Sequence, residues 1–411
     1  MTEKIVITGM GTVNPIGLSS KETWENAIQG KSGIGRITLF DPNDFPVQYA
    51  CEAKGFNPEN YMPAKNARRR DRFQQFSTVA ANEAILQAGL DGEHLDLSRI
   101  GVIISSAIGG LNSLHEAFET IRIRGPRSAS PFSVPMIMSD GGAGLVAIEH
   151  GFQGPCFSIA SACASGADAL GVAWVMLRAG IVDAVVAGAS DALITSFGLA
   201  SFERMGVLSH RGDNYSNTPQ PFDLNRDGLV MGEGAAVVIL ETESYARERG
   251  SQILAELAGY GSTEDAYHIT APTEYGQIAA RAMDLALNSA KINKSDVGYI
   301  NAHGTATKLN DLAETHAIKR TFGDFAYHIP ISSTKSMTGH MIGATGVLEV
   351  IFCVFVIREG ILPPTINLLT PDPQCDLDYV PNQAREQRVR IAMSNSFGFA
   401  GHNAALIIRE Y

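Results

Sequence analysis

A pattern that occurs twice constrains this chain more than any other feature. Cys163-x-x-Gly166-Ala167, followed by an apolar helical stretch and Arg178-Ala-Gly180-Ile181, is echoed by His340-x-x-Gly343-Ala344, a slightly longer helical stretch and Arg358-Glu-Gly360-Ile361. Ile100-Gly-Val-Ile-Ile-Ser-Ser has a similar counterpart in Val297-Gly-Tyr-Ile-Asn-Ala-His, each an apolar run that ends in polar residues. Such repetition reads as one α/β unit built twice. The halves are expected to meet between Glu241 and Ser251, which gives an N-terminal half 1–250 and a C-terminal half 251–411.

Within the halves, short β-branched runs predict buried strands at Ile5 to Gly9, Ile100 to Ile104, Ala184 to Gly188, Ala235 to Leu240, Val297 to Ile300, Ile391 to Met393 and Ala404 to Ile408. Ala-rich segments with helical spacing lie between them, at Phe76 to Ala88, Ala167 to Ala179 and Ala279 to Ala290. The alternation predicts the α/β class. Thr8-Gly9-Met10-Gly11 reads as a tight turn after the first strand. The apolar stretch Val350 to Ile357, bounded by Glu349 and Arg358, falls far short of the roughly 20 residues a bilayer requires. With no export signal at the N-terminus, a cytoplasmic protein is expected. A net charge of −11 argues against nucleic acid as a partner. The five cysteines lack a C-x-x-C pair, which predicts neither a disulfide framework nor a metal site.

One of those cysteines sits where a thiol becomes reactive. Cys163 follows a strand-like run and directly precedes a helical pattern, and a helix N-terminus lowers a thiol pKa toward neutrality. Cys353, inside an apolar helix, reads as structural. His303, in Asn301-Ala-His303-Gly-Thr305-Ala-Thr307, and His340, ahead of another helix, both fall beyond strand ends, where α/β proteins place their ligand sites.

Four motifs in order, Ser161-Ala-Cys163-Ala-Ser-Gly, Asn301-Ala-His303-Gly-Thr, Lys335-Ser-Met-Thr-Gly-His340 and Asn395-Ser-Phe-Gly398-Phe399-Ala400-Gly-His-Asn403, resemble the β-ketoacyl-[acyl-carrier-protein] synthases, class II most of all. The resemblance spans essentially the whole chain. It implies the thiolase fold, five αβαβα layers built from two duplicated halves, usually as a homodimer, and a decarboxylative Claisen condensation that uses no cofactor or metal. It also implies roles for individual residues. Cys163 carries the acyl group, and His303 and His340 donate N–H groups to an enolate. Lys335 and Glu314 form a buried ion pair beside the histidines. Phe399 supplies an oxyanion N–H and gates the site between Gly398 and Ala400. Thr305, Thr307 and Thr270 line the pantetheine tunnel, while Ile108 and Phe202 match acyl-pocket positions.

The basic cluster Lys65, Arg68, Arg69, Arg70 and Arg72 is the local positive patch that an acidic carrier protein needs on an acidic enzyme, and Lys65, Arg68 and Arg69 match family docking positions. Several positions depart from the family pattern: Ala400 replaces a common glycine, Lys308 a proline, Gly206 a frequent arginine, and Met136 to Gly144 is atypical. The stretch around Lys308 looks more like the ketosynthase subunits of type II polyketide systems. Fatty-acid elongation is therefore the first reading and a polyketide ketosynthase, paired with a homologue as a heterodimer, the second. A non-catalytic chain-length partner comes last, because such partners lack the cysteine.

Overall fold

The computed structural model describes residues 3–92 and 94–411. Ten strands form one continuous sheet. The first five are β1 (Ile5–Val13), β2 (Ile100–Ser105), β3 (Cys156–Phe157), β4 (Ala184–Asp191) and β5 (Gly234–Thr242). The second five are β6 (Ala255–Glu264), β7 (Tyr299–Asn301), β8 (Ile331–Ser332), β9 (Ile391–Phe397) and β10 (His402–Arg409). The spatial order β3-β2-β4-β5-β1 recurs as β8-β7-β9-β10-β6. In both sets the two pairings at the outer edge are parallel and the next two antiparallel. A short antiparallel contact, Val6 to Glu256 and Ile7 to Ala255, joins β1 to β6.

Each set also carries three helices in the same places along the chain. These are α1 (Arg72–Ala88), α2 (Gly141–His150) and α3 (Ser165–Arg178), then α4 (Gln277–Ala290), α5 (Lys308–Phe322) and α6 (Thr345–Glu359). Helices α3 and α6 lie together between the two sets of strands, α1 and α2 cover one outer face, and α4 and α5 cover the other. The result is the five-layered αβαβα arrangement. Helix α6 is buried almost all round because it is sandwiched on both sides.

Two sequence readings change here. Gly9 and Gly11 sit inside β1, not in a turn, and serve close packing. A Cβ on either would stand 2.1 Å from a carbonyl oxygen of α1, that of Ala84 or Ala80. Gly259 and Gly261 do the same for α4, against Ala286 and Ala282. The repeat register also shifts. Ala162 and Ile342, both at φ near +50°, open the turns before α3 and α6, and Gly180 and Gly360, both at φ +68°, follow their ends. With this constant offset Cys163 corresponds to Gly343, and His340 lies three residues ahead of that position. The longer second helix disappears with the shift, α3 having 14 residues and α6 15.

At the centre, a Cβ on Gly166 would stand 2.4 Å from the Gly343 oxygen, and one on Gly346 3.4 Å from the Ala167 Cβ. These glycines let the two helix starts touch. That contact brings the Cys163 turn beside the His340 segment.

Candidate active site

A cavity of about 470 Å³ opens above the start of α3, with Cys163, His303 and His340 among its lining residues. Their ligating sulfur and nitrogen atoms lie within 4.8 Å of one another, and all three residues are buried. The two imidazoles meet edge to face with ring centroids 5.3 Å apart. Thr305, Thr307, Thr270, Phe202, Gly398 and Phe399 also line the cavity. Ile108 does not; it is half exposed on the loop after β2, so its expected place in the pocket is not met within a single chain.

The Cys163 thiol departs from the sequence expectation. Burial pushes its pKa up to about 11, against the opposing pull of the Phe399 N–H and the Lys335 charge. Burial is the largest influence on this thiol and exceeds the contributions that lower its pKa. Both histidines are held well below their ordinary pKa, chiefly by burial and then by the Lys335 charge. Neutral imidazoles can donate an N–H or accept the thiol proton. His340 Nδ1 lies 3.2 Å from Thr345 Oγ1, while its Nε2 has no partner among the described residues. That leaves a buried ring nitrogen of His340 free to face a ligand in the cavity.

The expected Lys335–Glu314 pair is replaced by another. Lys335 Nζ lies 2.5 Å from Glu349 Oε1, and both side chains are 1% exposed. Glu314, reaching in from α5, instead accepts from the backbone N–H groups of His303 at 2.8 Å and Gly304 at 2.7 Å. It clamps the histidine's main chain, with Lys335 contributing only a more distant attraction. The one signal of Glu349 in the sequence was an acid on the boundary of an otherwise apolar helical run.

The duplication explains why Cys163 has a free N–H. Ile104 pairs with Gly188 as Asn301 pairs with Ser394, so Asp191 and Phe397, which end β4 and β9, occupy equivalent places. On the first side Asp191 accepts from Ser106 Oγ at 2.7 Å and from the Gly343 N–H at 2.9 Å. On the second side the equivalents are His303, Phe397 and Cys163, and Phe397 packs against His303 without offering an acceptor. Among the described residues no oxygen takes the N–H of Cys163 or Phe399, and both N–H groups act on the Cys163 sulfur. Two such donors can hold an oxyanion. Gly398 lets the loop approach, since a Cβ there would stand 3.2 Å from the Cys163 nitrogen.

The basic cluster divides. Lys65, Arg68 and Arg69 are exposed, whereas Arg70 is buried against Glu149 and Arg72 is held by Glu233 at 2.6 Å. No helix among the described residues is long and apolar enough to cross a membrane.

Known families bear on this geometry directly. The β-ketoacyl synthase N-terminal domain matches residues 2–246 and the C-terminal domain residues 254–369. The chain is 46% identical over 409 residues to the 3-oxoacyl-[acyl-carrier-protein] synthase 2 of Staphylococcus aureus (strain COL), covering 100% of this chain and 99% of that one. The enzyme of the same name from Synechocystis sp. is 43% identical, with 100% and 98% covered. A ketosynthase solved in complex with its type II polyketide acyl-carrier protein and bound to the hexaketide superposes with a TM-score of 0.93 at 35% identity, over 100% of both chains. A β-ketoacyl synthase from Burkholderia phymatum STM815 gives a TM-score of 0.92 at 35% identity over the same coverage.

Proposed function

Because the chain belongs to the β-ketoacyl synthase family, we propose that it is a 3-oxoacyl-[acyl-carrier-protein] synthase that elongates acyl chains in fatty-acid synthesis through Cys163. The observation that carries this reading is the cluster of Cys163, His303 and His340 on the wall of one cavity. Cys163 attacks the carrier thioester; its sulfur bonds to the acyl carbon, and the carrier thiol leaves with the proton. Malonyl carrier protein then loses CO₂, and the electrons of the broken C–C bond form an enolate whose oxygen accepts from the N–H groups of His303 and His340. The enolate carbon attacks the acyl-Cys163 thioester. The N–H groups of Cys163 and Phe399 hold the resulting oxyanion until the thiolate departs. No step calls for a cofactor. Incubating the protein with acyl- and malonyl-carrier proteins and weighing the products tests the reading: acyl chains longer by two carbons are expected, whereas polyketide chains or no product would overturn it.

A division of labour between halves 1–250 and 251–411 belongs to this reading and is supported by their matching strand order. A cytoplasmic homodimer that meets an acidic carrier protein through Lys65, Arg68 and Arg69 belongs to it too, supported by the exposure of those three cations. Arg68→Glu with Arg69→Glu should raise KM for carrier-linked substrates several-fold more than for a small pantetheine thioester. Salt should shrink the difference, since the Debye length is about 8 Å at physiological ionic strength. Equal losses with both substrates would mean that the patch is structural.

Ala400 gives the gate a direction. It sits at φ +64°, ψ +2°, with its N–H donating to the Ile269 oxygen at 2.7 Å. Alanine in the left-handed region costs about 1 kcal/mol, so Ala400→Gly should favour this arrangement over an opened one by about fivefold. Acylation of Cys163, which needs Phe399 to move, should slow by up to that factor while malonyl decarboxylation does not. Pre-steady-state rates of the two half-reactions check this; equal changes in both would remove the gate.

A further inference from the structure

The lysine that departs from the family pattern, Lys308, stands at the mouth of the catalytic cavity. We propose that it makes the mouth a phosphate-binding site for the phosphodiester at the outer end of the carrier's pantetheine arm, an inference that rests on the condensing activity proposed above.

The run from His303 to Lys308 forms one wall of the cavity and climbs from the interior to solvent. His303 and Thr305 are buried, Thr307 is partly exposed, and Lys308 is exposed, all lining the same space. The hydroxyls of Thr305 and Thr307 lie 3.0 Å apart midway along the wall. A substrate in this cavity therefore meets a reactive thiol within, hydroxyls along the wall and a cation at the outer end. A thioester arm with amides along its length and an anion at its far end has the same order.

The base of Lys308 is fixed before any ligand arrives. Buried Arg226 donates to the main-chain oxygens of Thr307 at 3.3 Å and Lys308 at 3.2 Å, and is itself held by Asp372 at 2.6 Å and Asp311 at 3.8 Å. Only the side chain has freedom left to lose, which lowers the entropic cost of gripping a phosphate. The two carboxylates that share the lining are already engaged. Asp227 lies 3.1 Å from Arg211 Nε, and Asp265 accepts from the Thr273 N–H at 2.9 Å and from Asn403 at 2.8 Å. Among the described residues the Lys308 ammonium has no carboxylate partner and is left for an incoming anion. The carrier's acidic side chains have the separate cations Lys65, Arg68 and Arg69, so the phosphodiester is the group that Lys308 serves.

Comparing three acyl donors tests this: an acyl-pantetheine, the same thioester of 4′-phosphopantetheine, and the acyl-carrier protein. The native protein should acylate Cys163 from the phosphorylated arm with a kcat/KM about fivefold above the unphosphorylated one, as an exposed ion pair of about 1 kcal/mol gives. That ratio should fall to near one in Lys308→Gln, persist in Lys308→Arg, and narrow with salt. A native ratio of one, or a Lys308→Gln variant that loses equally with both arms, overturns the proposal. No acyl adduct from any of the three donors would instead overturn the condensing activity, and this site with it.

Discussion

Glu349→Leu should destabilise the folded protein by about 3–5 kcal/mol, because it strands the Lys335 ammonium where both partners are 1% exposed. Adding Lys335→Met should recover more than half of that loss, since an apolar pair of similar volume needs no solvation. Condensation should not return with stability, because Lys335 also helps to hold His303 and His340 neutral and Glu349 helps to hold Lys335. Urea unfolding beside a condensation assay measures both effects; a single substitution that costs under about 1 kcal/mol would show that the pair contributes little. The same cluster sets a pH trend. Burial raises Glu314 to about 7 and holds Glu349 above its ordinary value, so between pH 5 and 7 the folded state keeps protons that the unfolded chain has released. Stability from this cluster therefore falls as pH rises through that window, and the double variant should flatten the slope.

Cys163→Ala should abolish condensation, a loss on the order of a thousandfold or more, while malonyl decarboxylation persists. The two activities separate under the mechanism proposed above, in which the thiol forms the acyl bond and His303 and His340 serve the enolate. Intact-mass analysis after incubation with an acyl-carrier thioester should find the adduct on Cys163. Cys156 is exposed and so can react with small alkylating agents, but it lies outside the catalytic cavity. Cys353 is buried in α6 with its thiol held well above the ordinary value. An adduct on either would sink the assignment of the nucleophile.

How much of this was readable in the sequence follows the range of the forces involved. Strand runs such as Ala235 to Leu240 and the Ala-rich helices were visible because burial on one face or on both leaves a local period. Strands β3 and β8, each two residues long, left no such period. Cys163, His303 and His340 were identifiable from their motifs and from their places beyond strand ends. The register of the duplication was not, because Gly/Ala-rich helix starts resemble one another at several offsets, and the turns at Ala162 and Ile342 distinguish them only through backbone dihedrals.

Local pattern carried the α/β class, the duplication, and Cys163, His303 and His340 as the residues from which the proposed chemistry is built. Packing between distant segments fixed the rest. Packing α6 between the two sets of strands delivered Glu349, not Glu314, to Lys335, and left Glu314 to bind the main chain at His303. It enclosed Cys163 enough for burial to raise its thiol pKa, and it left Ile108 outside the cavity. Ion pairing and pKa depend on distance and on exclusion of water, and neither is fixed until segments remote in the chain have packed together.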